Sequence, residues 1–279
     1  MLTAIWKSLS TGVVTIRYPD APAHPPERFR GAPAVRPGSV LDQLPPASIC
    51  PSGAITHEPG RYGIDIGRCI FCGRCAEGSL DGAIELGRQV ELATRQRKGL
   101  VVEVQSDKGD SSGRAVALLP PAADTEVAEQ IRLTLGRSLA LRHLDSGSCN
   151  ACDWELTALL NPVYDVRRLG IDFVASPRHA DGVIVTGPVT RNLEIAVRRT
   201  YEAVPEPRIV IAVGACATSG GIVGRSYASA GGVAEVLPVD VFIPGCPPRP
   251  EAIIFGILLA VGRVSVRGST PRGIGQQRT

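Results

Sequence analysis

Eight cysteines, at positions 50, 69, 72, 75, 149, 152, 216 and 246, are the residues best suited to chemistry in this chain. Cys69, Cys72 and Cys75 keep the C-x2-C-x2-C spacing of a bacterial iron-sulfur run, but Ser79 stands where the fourth cysteine is expected and Leu80 replaces the following proline. A cubane 4Fe-4S cluster needs four soft thiolates. Such a loop wraps three of its corners and the fourth ligand comes from elsewhere. In two-cluster ferredoxins the cysteine of each Cys-Pro pair serves the other run's cluster, so Cys50, followed by Pro51, is expected to complete the set of Cys69, Cys72 and Cys75. Counting back from Cys50 at the same spacing meets Pro46, Gln43 and Val40, none of them a thiol. Ser79 therefore reads as the remnant of a lost second site, with alkoxide ligation the weaker reading because iron prefers thiolate. Zinc on the same four cysteines competes with iron, although all-cysteine zinc sites more often use two separated C-x2-C knuckles.

The second group is Cys149, Cys152, Cys216 and Cys246. Cys149-Asn-Ala-Cys152 lies between an expected strand, Leu139 to Leu144, and an expected helix, Asp153 to Leu160; Cys216 follows the run "RIVIAVGA" and Cys246 follows "VDVFIPG". Each locus is the carboxyl end of an expected parallel strand, the edge at which open α/β sheets bind ligands. Glycines at 147, 214, 220, 221 and 245 let backbone approach a cluster closely and offer it amides. A lone cysteine at any of these places would read as core packing, but four together favour a second cluster. Structural disulfides are disfavoured on the expectation that the chain is cytoplasmic, where thiols stay reduced.

The elements that must position these residues fall into two halves. Residues 1–105 are rich in proline and glycine as far as Pro51, with a short helix expected from Thr3 to Leu9 and a strand from Gly12 to Tyr18. Cys50-Pro-Ser-Gly-Ala-Ile55 recurs as Ser79-Leu-Asp-Gly-Ala-Ile84, one supersecondary unit used twice. Residues 106–138 are a linker followed by a helix, Glu126 to Leu135, capped by Thr125. From Leu139, apolar runs alternate with helical patterns: strands at Ile171 to Ala175, Val183 to Val185, Ile209 to Val213 and Val239 to Ile243, and helices at Asn192 to Ala203 and Pro250 to Val264. Residues 265–279 read as a mobile tail.

Composition limits the function classes. With 279 residues, 44% hydrophobic and 20% charged, the chain is long enough for about two domains, and aromatics at 4% leave the cores to aliphatic side chains. A net charge of +3 is too small for a nucleic-acid binder. The start lacks the pattern of an export signal, and the longest apolar run, Ala252 to Gly262, is about half of the roughly 20 residues a spanning helix needs. No G-x-G-x-x-G dinucleotide fingerprint is present, "AVGACATSGG" lacking that spacing.

The stretches "DSGSCNACDWEL", "IVIAVGACATSGGI" and "VDVFIPGCPPRPEAI" resemble the small subunit of membrane-associated, complex I-related nickel-iron hydrogenases of the formate hydrogenlyase type, and the homologous cluster-bearing subunit of NADH-quinone oxidoreductase. Complex I members typically have adjacent cysteines at the first locus, whereas Cys149 and Cys152 follow the hydrogenase spacing. Residues 1 to about 95 resemble the ferredoxin-like subunit of the same complexes in "GVVTIRYP", "ERFRGAPAV", "CPSGAI" and "YGIDIGRCIFCGRC", so the chain is similar to a fusion of two normally separate subunits.

The resemblance implies an α/β chain: a C-terminal parallel-sheet, flavodoxin-like domain at 139–264 and an N-terminal α+β ferredoxin-like domain at 1–105 that has lost one cluster. It implies two 4Fe-4S clusters, one on Cys50, Cys69, Cys72 and Cys75, the other on Cys149, Cys152, Cys216 and Cys246 nearest the active centre of a separate large subunit. The chain would be an electron-transfer subunit of an oxidoreductase with no catalytic residue of its own. Its expected partners are a hydrogenase large subunit or homologue, membrane-embedded subunits of the complex, and a ferredoxin or formate dehydrogenase as electron partner, with no nucleic acid. It would be cytoplasmic, peripheral to the inner membrane. A complex lacking nickel-iron and serving quinone, and a metal-stabilised assembly protein, are the alternatives. Glu155 reads either as a proton relay or as a first-turn helix carboxylate; Arg68 and Arg74 either raise a cluster's potential or face solvent; Ile253, Ile254, Ile257, Leu258 and Val261 either pack on the sheet or form a subunit interface.

Overall fold

The computed structural model describes residues 2–105 and 138–262. The expected helix at Glu126 to Leu135 and the tail at 265–279 lie outside the described residues.

Beyond residue 138 the chain builds a five-stranded parallel sheet from β6 (Leu139–Asp145), β7 (Ile171–Phe173), β8 (Gly182–Thr186), β10 (Ile209–Val213) and β12 (Val241–Ile243). Spatially the order is β7-β6-β8-β10-β12, the 2-1-3-4-5 order of a flavodoxin-like, doubly wound fold. Every residue of β8 and β10 is buried, as the unbroken apolar runs require of strands covered on both faces. Their period-2 alternation divides the core. Ile209, Ile211 and Val213 face one apolar cluster with helices α3 (Ala151–Ala158) and α6 (Pro250–Ala260), while Val210 and Ala212 face another with α4 (Arg191–Glu202) and α5 (Gly214–Ser219).

Helix α6 begins with Pro250 at its first position, where the missing N–H costs nothing. Every residue of it is buried, so Ile253, Ile254, Ile257 and Leu258, with Val261 just beyond its end, belong to the core and not to a subunit interface. The small antiparallel pair β9 (Val189–Thr190) with β11 (Ser229–Gly231) has no counterpart in the sequence expectations.

Residues 2–105 form α1 (Leu2–Thr11), the antiparallel pair β1 (Pro33–Val35) with β4 (Ile84–Leu86), the short α2 (Arg74–Glu77), and the antiparallel sheet β2-β3-β5 (Ile55–Glu58, Arg61–Asp65 and Val101–Gln105). The repeated hexapeptides end alike, Ile55 opening β2 and Ile84 opening β4 after a left-handed glycine, Gly53 at φ 61° and Gly82 at φ 63°, but differ one residue earlier, where Asp81 is left-handed at φ 50° and Ser52 is not. The strand expected at Gly12 to Tyr18 does not form. That segment lies instead along the C-terminal half, with Ile16 N donating to Val163 O at 2.9 Å and Tyr18 buried in the cluster under α6.

The two halves share their cores. Tyr18, Val90 and Ala93 pack with the α6 face of the parallel sheet, and Ile55, Tyr62 and Ile64 pack with the face formed by Val183, Val185 and Phe242. Thr94 and Phe242 exchange backbone hydrogen bonds of 3.0 and 2.8 Å, so residue 94 extends the open edge at β12.

Gly256 gives a test of this packing. A Cβ there would lie 2.3 Å from Ile243 Cδ1, although alanine is the better helix former by up to about 1 kcal/mol. Overpacking costs about 1–3 kcal/mol, so Gly256→Ala should lower stability in urea unfolding despite its propensity gain, and adding Ile243→Val should recover part of the loss.

Candidate iron-sulfur sites

The first cysteine set lines one cavity, with Cys50, Cys69, Cys72 and Cys75 opening onto it beside Ile55 and Ile64. The loop from Cys69 to Cys75 turns through Phe71 and Gly73 in left-handed conformations, at φ 57° and 84°. That turn points the Phe71 amide at Cys69 Sγ, 3.3 Å away. Cys50 follows a single 3-10 turn, Ala47–Ile49, and its sulfur accepts the Ala54 amide at 3.2 Å and contacts Ser52 Oγ at 3.5 Å.

Burial pushes the Cys69 thiol up to about 12; the Phe71 amide opposes this, and the charges of Cys75, Cys50 and Cys72 add to it. Cys75 is likewise raised by burial and by Cys72 and Cys50, against the Ala76 amide. For Cys50 burial also raises, but the Ser52 hydroxyl and the amides of Ala54, Ser52 and Ile55 outweigh it and hold the thiol below its ordinary value. Tyr62 Oη is buried without a hydrogen-bond partner among the described residues, and its ionisation is disfavoured by burial and then by Cys75 and Cys50.

Ser79 stands in a different position. Its hydroxyl donates to Ala76 O at 2.9 Å and accepts from Ile84 N at 3.3 Å, and it does not line the cavity. Arg68 and Arg74 are both exposed, as solvent-facing residues, although Arg74 reaches the cavity rim. Sequence reasoning missed Arg30, whose Nη1 donates to Cys72 O at 2.8 Å. It lies 42 residues away from Cys72 with no periodic signal to connect them.

The second set gathers at the carboxyl edge of the parallel sheet. Cys149 and Cys152 sit where β6 passes into α3, through Asn150 at φ 67°. Asp153 fixes the first turn of that helix: its Oδ1 accepts from Thr186 Oγ1 at 2.7 Å and lies 2.7 Å from His143 Nε2, and its Oδ2 accepts from Ser148 Oγ. These bonds hold the Asp153 carboxyl below its ordinary value, although burial opposes them. Cys216 is in α5 and Cys246 follows β12; Ala215 N donates to Gly245 O at 2.7 Å and ties their loops together.

The backbone is pressed against these sulfurs. A Cβ on Gly214, at φ 89°, would meet Cys152 Sγ at 2.5 Å, and one on Gly221 would meet Cys216 Sγ at 2.9 Å. All four thiols lie in one another's field. Burial first, then Cys216, Cys246 and Cys149, raise Cys152; burial, Cys246 and Cys149 raise Cys216; burial and Cys149 raise Cys246.

Glu155, on α3, is raised by burial and by Glu251 against the pull of Arg249, which forks onto the Glu251 carboxylate at 3.0 and 3.2 Å. Among the described residues, no three histidine, cysteine, aspartate or glutamate side chains are gathered for a single metal ion. A mononuclear site demands tighter convergence than a cubane, because one zinc draws every sulfur to about 2.3 Å while a cubane offers each thiolate its own corner.

The family of the NADH ubiquinone oxidoreductase 20 kDa subunit matches residues 149–260, a span that opens on Cys149 and contains all four cysteines of the second set. A probable membrane-bound hydrogenase subunit of Pyrococcus furiosus is 47% identical over 145 residues, which cover 51% of this chain and 87% of the relative. Formate hydrogenlyase subunit 7 of Escherichia coli is 39% identical over 153 residues, 55% of this chain and 60% of the relative. An NADH-quinone oxidoreductase subunit of Citrifermentans bemidjiense is 49% identical over 107 residues, 38% of this chain and 62% of the relative. With its doubly wound sheet and the cysteine-bearing loops on that sheet's carboxyl edge, the chain belongs to the family of the NADH ubiquinone oxidoreductase 20 kDa subunit and its hydrogenase homologues.

Proposed function

We propose that this protein is the electron-transfer subunit of a multisubunit, membrane-associated oxidoreductase of the hydrogenase type, with one 4Fe-4S cluster on Cys50, Cys69, Cys72 and Cys75 and another on Cys149, Cys152, Cys216 and Cys246. The observation that carries this reading is the gathering of Cys149, Cys152, Cys216 and Cys246 from three strand ends, with Gly214 backbone against the Cys152 sulfur. Thiols placed in each other's field and partly buried resist ionising together unless a cation holds them. The unpartnered Tyr62 hydroxyl next to Cys75 and Cys50 supports the same conclusion for the first set, since a sulfur-rich group gives that donor an acceptor.

When bound, each cluster supplies a one-electron carrier. The chain's own residues hold it: amides of Ala54 and Phe71 point at ligand sulfurs, the Asp153 network fixes the Cys149-Cys152 turn, and α6 closes the apolar floor beneath. Bond chemistry falls to the metal centre of a separate large subunit. The two residues between Cys149 and Cys152 favour the hydrogenase type over a complex I member; nickel-binding cysteines in the large subunit distinguish a hydrogenase partner from a nickel-iron-free homologue serving quinone. No helix among the described residues is long and apolar enough to cross a membrane, so attachment at the inner membrane, from the cytoplasmic side, falls to partner subunits. A ferredoxin or formate dehydrogenase is the proposed electron partner.

Iron and acid-labile sulfide analysis of anaerobically purified protein, with electron paramagnetic resonance after reduction, tests the reading. About eight irons per chain, four for each cubane, are expected; zinc or no metal would sink it. Cys50→Ala should halve the iron and remove one reduced signal, whereas Ser79→Ala should leave both signals unchanged, its loss being two local hydrogen bonds of about 1 kcal/mol each. Gly214→Ala should remove the other signal, because its side chain would occupy the place of the Cys152 sulfur and its φ of 89° is strained for alanine.

A further inference from the structure

One short segment, residues 94–97, contacts elements adjoining both cysteine constellations. Thr94 pairs with Phe242 on the strand that leads to Cys246, and Arg95 Nη2 donates to Leu259 O at 2.5 Å and Ala260 O at 3.3 Å at the end of α6. Arg97 reaches in two directions. Its Nη1 and Nη2 fork onto Asp65 Oδ1 and Oδ2 at 2.9 and 2.7 Å, while its Nε donates to Thr218 O at 3.2 Å.

Both ends of this bridge lead directly to ligand loops. Asp65 O accepts the Cys69 amide at 3.0 Å and Asp65 Oδ1 accepts the Arg68 amide at 3.2 Å, so Asp65 organises the entry to the Cys69-Cys72-Cys75 run. Thr218 lies two residues beyond Cys216, in the last turn of α5, where carbonyls lack helical partners. The guanidinium lies close against Gly67: a Cβ there would lie 2.8 Å from Arg97 Cζ and Nη1. Arg97 and Asp65 are each about three-quarters covered, at 28% and 26% exposure, which separates this fork from an ordinary solvent-exposed ion pair.

We propose that Arg97 is a positioning residue for electron transfer, a strut that fixes the Cys50, Cys69, Cys72 and Cys75 site relative to the Cys149, Cys152, Cys216 and Cys246 site. This rests on the two-cluster reading above. Tunnelling falls exponentially with separation, so a contact that holds two carriers at one spacing sets the rate between them. Only a planar fork with a third, outward-facing donor spans the gap. A lysine ammonium keeps the charge beside Asp65 but cannot make the bidentate pair and the Thr218 bond together.

The test uses the full chain, loaded anaerobically, as wild type, Arg97→Lys, Arg97→Ala and the control Arg61→Ala, which removes the Arg61–Glu103 pair between β3 and β5 at the end of β3 opposite Asp65. Iron content is measured first, then the low-temperature paramagnetic spectrum with both clusters reduced, where spin-spin interaction reports their separation and orientation. The expected result is an interaction pattern in wild type and Arg61→Ala that is lost or shifted in both Arg97 variants at full iron content. Arg97 variants with full iron and the wild-type pattern overturn the strut. Loss of iron from both, with an equal fall in the melting temperature of the unloaded chain, assigns Arg97 to folding and also overturns it. A wild-type chain holding fewer than two clusters overturns the two-cluster reading instead.

Discussion

Mutual exclusion of charge among clustered thiols is the constraint on which the rest of this structure depends. A thiol must lose its proton to bind metal, yet burial first and then neighbouring thiolates disfavour that loss, three of them at Cys69 and Cys152 and two at Cys75 and Cys216. Two devices offset the cost before any cation arrives. Amides are aimed at sulfur, most effectively at Cys50, where the Ser52 hydroxyl and the amides together outweigh burial. Glycine replaces side chains where backbone must touch sulfur, most tightly at Gly214. Both devices need rigid backbone, which the strand ends β6, β10 and β12 and the 3-10 turn before Cys50 supply.

That rigidity explains why some of the architecture is legible from residues alone. Strands buried on both faces leave continuous apolar runs, and the carboxyl ends of two of them, β10 and β12, locate Cys216 and Cys246 without any coordinates, while the partly exposed β6 locates Cys149. Where the signal failed, a physical cause is evident. Gly12 to Tyr18 alternates like a strand, but the period comes from a chain lying on another surface: Ile16 and Tyr18 turn inward while Val13 is 92% exposed. Helix α5 has six residues, GACATS, too few and too small to leave a helical period, although it carries Cys216. Arg30 and Arg97 act through backbone carbonyls far away in sequence, a kind of contact that has no local signature.

The shared cores change what the two halves of the chain can be. Domains joined by a simple linker have separate cores and move relative to one another by default. Here Tyr18, Val90 and Ala93 complete the packing under α6, and Val183, Val185 and Phe242 complete that around Tyr62 and Ile64. Removing the first 105 residues would expose the apolar helix α6 and the edge strand β12 together. The covering is therefore structural for the cysteine-bearing sheet as well as the carrier of the first cysteine set.

The two copies of the repeated hexapeptide carry a cysteine and a serine at the same position and set them in different environments. Cys50 Sγ accepts the amide of Ala54, the fifth residue of its copy, whereas Ser79 Oγ accepts the amide of Ile84, the sixth of its own, so both side chains turn back onto the end of their hexapeptide but onto neighbouring amides. Their surroundings have diverged. Around Cys50 lies a cavity; around Ser79 the hydroxyl is also committed to Ala76 O, Ile49 crowds Gly78 so closely that a Cβ would lie 2.2 Å from its Cδ1, and Leu44, Ala83 and Ile84 are buried in the common core. Pro46, Gln43 and Val40 offer no thiol, and Gln43 instead accepts the Val40 amide at 3.1 Å to cap its own turn. A cysteine restored at position 79 would thus face filled space and three missing ligands. Because the space around Ser79 is filled and positions 40, 43 and 46 hold no thiol, the proposed single-cluster state of this half is held by packing as well as by the absence of sulfur.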